Sequence, residues 1–362
     1  MFQELRFYKP CIGETVRRSM RSHEIALNRS REGFVTFRAL PPTDVEYFSA
    51  FDLRRYDFET DLPRYARDLL TALERSMRLR REVEDNYIPN LSPMLGIADY
   101  SAFVAGDVTF ARDTSWSTPV LKSLEDYLRL PPLGEAVWYG RFLDICRLML
   151  QMSSGSGIPF LRGFFSPLDL AAALRGEAIY TDFYDEPELT RGFLDYCADC
   201  TIRFARDLYA LCGEALGGTE YGMLFSDGIN LSEDIACMIS APLYRDFCAP
   251  ATQKVIDAFG KGYMHSHSRA LYQVKEICAL RGVATLWLAT DPNQPRPFDH
   301  LRQLAQDANG VCLSIDCASF REMEERREEL LGGNFSLTLP VANILEAVDA
   351  TRRFERLFGG PS

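Results

Sequence analysis

Short runs of β-branched and aromatic residues alternate along this chain with longer stretches whose apolar positions recur every three to four residues. That is the pattern of strands feeding amphipathic crossover helices. VTFRAL (35–40), IPFLRGFF (158–165), YGMLF (221–225), GYMHS (262–266), ATLWLA (284–289), VCLSI (311–315) and NFSLTL (334–339) read as strands, and a further strand is expected near 87–91. The clearest helix follows Asp61, which stands at its cap position with Pro63 in the first turn. Leu62, Tyr65, Ala66, Leu69, Leu70, Leu73 and Met77 form its apolar stripe, and Arg75, Arg78, Arg80 and Arg81 load its C-terminal turns, where the helix dipole favours positive charge. Further helices are predicted over 119–130, 134–152, 186–216, 269–281 and 319–331, after Ser166-Pro167 as far as Gly176, and from Ser232, Pro242, Pro297 and Pro340.

Eight strand–helix units predict a closed (β/α)8 TIM barrel, an α/β fold with extra N-terminal helices and helical insertions. An open doubly wound sheet is the alternative topology. The longest flexible stretch, Ser153-Ser154-Gly155-Ser156-Gly157, joins neighbouring elements, so 1–362 reads as one domain with 1–34 as a helical leader.

Charge narrows the partners. Of 362 residues, 40 are basic and 51 acidic, a formal charge of -11, which argues against a broad nucleic-acid or lipid-headgroup surface and leaves a small-molecule substrate. No apolar run approaches the ~20 residues needed to cross a bilayer, and MFQELRFYKPC lacks the apolar centre of a signal peptide, so a cytoplasmic protein is expected. The ten cysteines are scattered, mostly at apolar-face positions, as buried thiols would be, and Cys197 and Cys200 lie mid-helix.

A barrel carries its chemistry at the C-terminal ends of its strands. The polar residues there are Arg162, Ser226, Asp227, His265, His267, Thr290, Asp291 and Asp316. Asp227 and Asp291 are the candidate catalytic carboxylates, and Arg162, Asp316 and Trp116 the candidate substrate contacts, although Asp also recurs as a turn residue and helix cap. The most specific feature is Met264-His265-Ser266-His267-Ser268. Imidazoles at i and i+2 point the same way on an extended backbone, so His265 and His267 can reach one ion, and zinc suits such ligands. Alternatively the pair bonds loop carbonyls, or one of them holds a substrate carboxylate.

These landmarks, in order, resemble a known family. Gly106-Asp107-Val108, Ser166-Pro167-Leu168-Asp169, Tyr184-Asp185-Glu186-Pro187, Ser232-Glu233-Asp234, Ser240-Ala241-Pro242-Leu243-Tyr244 and His265-Ser266-His267-Ser268 are together similar to the uroporphyrinogen decarboxylase superfamily over about residues 85 to 358. That group holds decarboxylases and cobalamin-dependent methyltransferases. The resemblance implies a (β/α)8 barrel with its ligand in the C-terminal mouth, and a homodimer. The arginine-rich decarboxylase signature is missing, with only Arg38 nearby. The methyltransferase branch carries His-x-Cys-Gly and a later Cys as zinc ligands. Here His265 matches the His, His267 replaces the Cys, and 334–339 has no Cys. A third ligand is then expected from Asp227, Glu233, Asp291 or Cys312. The resemblance implies methyl transfer between a small molecule and a corrinoid on a separate partner protein. The alternatives are a decarboxylase or lyase of a porphyrin-like or smaller carboxylate, using Arg162 and arginines of the leader, and a non-catalytic binding barrel.

Overall fold

The computed structural model describes residues 35–42, 52–93, 95–220, 223–225 and 227–359. The leader expected over 1–34 and Ser226 lie outside them. Seven parallel strands carry the fold: β1 (Val35–Leu40), β2 (Phe164–Phe165), β3 (Ile229–Ser232), β4 (Gly262–His267), β5 (Val283–Ala289), β6 (Cys312–Asp316) and β7 (Phe335–Pro340). Their spatial order is β1-β7-β6-β5-β4-β3-β2.

The segment 85–91 spans the gap between β1 and β2. Asn86 N–H donates to Phe37 O (2.9 Å), while Asn86 Oδ1 and Asp85 Oδ2 accept from the Phe37 and Ala39 amides (both 2.9 Å). Leu91 then bridges Phe160 in parallel. The sheet is thereby closed into a barrel of TIM type, with its second strand position filled by a segment that holds β1 partly through side chains. Among the described residues, no helix is long and apolar enough to cross a membrane.

Strand register explains how the barrel is filled. Val35, Phe335, Leu313, Leu286, Met264, Leu231 and Phe164 form one row across the seven strands. The next row is Thr36, Ser336, Ser314, Trp287, His265, Ser232 and Phe165. Because side chains alternate across a sheet, the first row packs under the helices and the second turns into the barrel. Most barrels of this type fill their interior with branched apolar residues. Here hydroxyls take much of that space.

The helix Leu62–Leu79 buries Tyr65, Ala66, Leu69, Leu70, Leu73 and Met77, the stripe read from the sequence. Asp61 precedes it but does not cap it; its carboxylate accepts the Asp57 amide instead (3.1 Å). Ser166 does cap Pro167–Arg175, through the Asp169 amide, and Gly176 ends that helix. Cys197 and Cys200 are buried on the long helix Pro187–Cys212 as core thiols.

The fourth strand lies later in the chain than its sequence pattern predicts. Met223–Phe225 pairs antiparallel with Gly218–Glu220 in a small separate hairpin, and the barrel strand is Ile229–Ser232. Ser232 consequently ends a strand and does not open a helix.

Candidate metal centre

β3 and β4 deliver the site. Past Ser232 the ladder continues for one more bond, from Glu233 N–H to His265 O (2.7 Å), which sets Asp234 beside the end of β4. Asp169 fixes that turn. Its carboxylate accepts from Ser232 Oγ (2.8 Å) and from the amides of Asp234 and Ile235 (both 2.9 Å). Glu233 turns the other way, fully buried, and accepts from Ser166 Oγ (3.0 Å), Tyr244 Oη and Thr252 Oγ1 (both 2.8 Å). Tyr244 opens a single π-helical turn, Tyr244–Cys248, that precedes the helix Ala249–Phe259 carrying Thr252. Burial pushes the Glu233 carboxyl up to about 7, because no cation compensates it.

Asp234, His265 and His267 converge. Asp234 Oδ1 lies 3.2 Å from His265 Nε2 and 3.3 Å from His267 Nε2. One donor atom from each residue falls within 4.8 Å of the others. Four-coordinate zinc with bonds of about 2.0–2.1 Å has donor–donor edges of about 3.3 Å, so the spacing and the N,N,O donor set fit such an ion. Asp234 Oδ1 is also buried and, beyond the two imidazoles, has no hydrogen-bond partner.

The surroundings hold His265 and Asp234 in their ligating forms, whereas His267 is drawn toward the imidazolium, whose proton an incoming ion has to displace. Burial drives the His265 imidazole down to about 4, keeping it neutral, and its ring stacks on Trp287 with centroids 3.9 Å apart. His267 is raised by the adjacent Asp234 carboxylate more than burial lowers it. Burial raises the Asp234 carboxyl, but the two imidazoles outweigh it and the net shift is downward. His267 Nδ1 sits 2.9 Å from Asp291 Oδ1, and Asp291 Oδ2 is in turn met by Arg269 Nε (3.3 Å). A carboxylate on the far nitrogen of a ligating histidine fixes its tautomer and ring orientation. Asp291→Asn should therefore weaken zinc binding by about 10–100-fold while keeping the fold, as measured by competition with a chromogenic chelator; unchanged affinity would remove Asp291 from the site.

Of the residues singled out in the sequence, His265, His267, Asp291 and Asp316 lie at the C-terminal ends of β4, β5 and β6, around one mouth. Asp316 ends β6, level with Thr338 of β7. Its carboxyl is raised by burial, against the pull of Arg38 and a bond from Thr290. Trp116 stands on the hairpin formed by Thr109–Phe110 and Ser115–Trp116, 48% exposed, lining a cavity that Asp234 also lines.

Two placements differ from expectation. Asp227 precedes β3, so it lies at the N-terminal end of the barrel, exposed and paired with Lys261 Nζ (3.0 Å). It cannot join the mouth, because the strand expected before it follows it. Arg162 is buried, bonded to Asp99 Oδ2 (2.8 Å) and surrounded by the rings of Tyr100, Phe142, Phe164 and Phe204. Its charge is committed to Asp99 and does not reach a ligand.

None of the four residues expected to supply a third ligand does so. Asp227 is at the wrong end, Glu233 bonds three hydroxyls, Asp291 sits behind His267, and Cys312 opens β6 level with Thr285 and Tyr263, below the histidines. Asp234 is the residue the sequence reading missed. Its signal is the Ser232-Glu233-Asp234 run, legible only once β3 is placed correctly.

No protein-family model and no curated protein matches the chain. The fold does match a solved structure. Over 90% of this chain and 93% of the other, it superposes on a methyltransferase from Methanosarcina mazei with a TM-score of 0.55 at 12% sequence identity. At that identity the likeness establishes a shared α/β barrel fold.

Proposed function

We propose that this protein is a methyltransferase resembling the corrinoid-dependent branch of the uroporphyrinogen decarboxylase superfamily. In this reading it moves a methyl group between a small molecule and a corrinoid carried by a separate protein, with zinc held by Asp234, His265 and His267. The observation that carries the reading is the two-imidazole, one-carboxylate cluster at the C-terminal mouth. The fold shared with a methyltransferase supports it. A zinc ion there would supply Lewis acidity to the heteroatom that bears the methyl group. The chain's own part is to orient. Asp291 holds the His267 ring, Trp287 backs His265, and Asp169 fixes the backbone of Asp234. Two imidazoles and one carboxylate leave a tetrahedral ion one open position for substrate. The lyase reading loses Arg162 as an anchor, since that side chain is committed to Asp99.

Zinc-loaded protein mixed under anaerobic conditions with cob(I)alamin and a panel of methyl ethers, thioethers and methylamines tests this. Methylation of the corrinoid, read from its visible absorption, is expected with at least one donor in the wild type and with none in His267→Ala. Stoichiometric zinc with no transfer from any donor would overturn the reading, as would conversion of uroporphyrinogen to coproporphyrinogen.

A further inference from the structure

A second cavity adjoins the metal centre, and the proposed function gives it no role. The smaller cavity, about 210 Å³, is lined by Asp234, His265 and Trp287. The larger, about 340 Å³, lies beside Trp116, and the two share Ile97, Phe165 and Asp234. A ligand in the larger space therefore abuts the carboxylate of the metal cluster.

The walls of the larger cavity select a chemistry. Ile97, Trp116, Pro119, Phe165, Ala172 and Ala173 make it mainly apolar. Its volume exceeds the roughly 150 Å³ of an apolar cavity that holds benzene, and falls in the range of small-ligand sites. Among the described residues, no lysine or arginine lines either cavity, so the larger one, away from the ion, offers no side-chain cation to a carboxylate or phosphate. A quaternary ammonium could rest on the Trp116 face, but it would bring no lone pair to an ion at Asp234, and the carboxylates nearby are mostly taken. Asp169 is committed to three hydrogen bonds and Asp234 to the metal cluster, which leaves only exposed Glu177 at the rim.

Trp116 is exposed but firmly presented. It pairs with Thr109 across the hairpin. The neighbouring Ser115 Oγ donates to Leu95 O (2.6 Å) and accepts the Ala98 amide (3.1 Å). Gly96, at φ 79°, permits that approach, since a Cβ there would lie 2.1 Å from the Ser115 nitrogen. A half-exposed indole fixed in this way can serve as a stacking platform for a flat ring.

We infer that the cavity at Trp116 holds the carbon body of the substrate, and that this substrate is an uncharged aromatic ether, its ring against Trp116 and its oxygen directed toward Asp234. The inference rests on the proposed methyl-transfer reading and names the substrate class for it. An ether oxygen keeps a lone pair that a metal ion can engage, which a quaternary ammonium lacks. A phenol is also a better leaving group than an aliphatic alcohol.

Titration calorimetry of the zinc-loaded protein with anisole, 4-methoxybenzoate and tetramethylammonium tests it. Anisole should bind most tightly. Trp116→Ala, and separately Ala173→Leu, which fills the cavity, should each weaken anisole at least tenfold with zinc content unchanged. Tighter binding of either charged probe, no anisole binding to zinc-loaded protein, or indifference to both substitutions would overturn the assignment. Zinc content is measured independently. Failure to load zinc thus counts against the methyl-transfer reading, and failure of loaded protein to bind anisole counts against the substrate class alone.

Discussion

Asp234→Ala, His265→Ala and His267→Ala should each reduce zinc from one per chain to a trace after dialysis, as read by elemental analysis. Outer-shell changes at metal sites cost about 10–100-fold in affinity, and removing a direct ligand from a set of three should cost more. The fold should survive. Asp234 and His267 are only partly buried, at the end of a ladder whose remaining bonds are backbone. His265→Ala also leaves a gap beside Trp287, so its thermal midpoint should fall the most of the three. The wild type retaining no stoichiometric zinc, or all three variants retaining it, would refute the metal centre. The histidines would then be better read as contacts to an organic ligand.

The largest stability effect is expected at Asp99→Ala. It leaves the Arg162 guanidinium buried, ringed by aromatic faces and without its carboxylate. Breaking a buried pair from one side typically costs about 3–5 kcal/mol, whereas replacing both partners with apolar residues of similar volume is often neutral. Urea denaturation should show that loss for the single variant and recover most of it in Asp99→Leu combined with Arg162→Met. A single-variant loss below about 1 kcal/mol would mean the pair is not structural, and would return Arg162 to candidacy as a ligand anchor.

The difference between legible and illegible features lies in the range of the interactions. The barrel class followed from local periodicity, and His265 and His267 were legible because both lie on one strand, two residues apart. β3 was harder. Ile229 and Leu231 turn toward the helices while Asn230 and Ser232 line the barrel, so the strand shows only two apolar positions, whereas Met223-Leu224-Phe225 upstream looks more strand-like. Placing the strand too early made Asp227 its end residue and hid Asp234. Arg162 failed for another reason. Nothing near it in sequence announces its partner, which lies 63 residues earlier. Trp116 was visible as an aromatic in a polar loop, but the cavity beneath it is assembled from residues as far apart as Ile97 and Ala173.

The closure of the barrel has a bearing on its motions. Strands β3 to β7 are each paired in register with a strand on either side, whereas the 85–91 segment meets β1 through Asn86 and Asp85. Opening there breaks the Asn86–Phe37 backbone bond, the bonds to the Asn86 and Asp85 side-chain oxygens and the tie that Arg80 makes to Ala39 O, and leaves the seven-stranded ladder whole. The seam is thus the natural hinge line for sub-global opening. In hydrogen–deuterium exchange the amides of Phe37 and Ala39, capped by side chains, should lose protection earlier than those in the middle of β4 and β5. The mouth could widen along that line while Asp234, His265 and His267, on β4 and the turn after β3, keep their spacing.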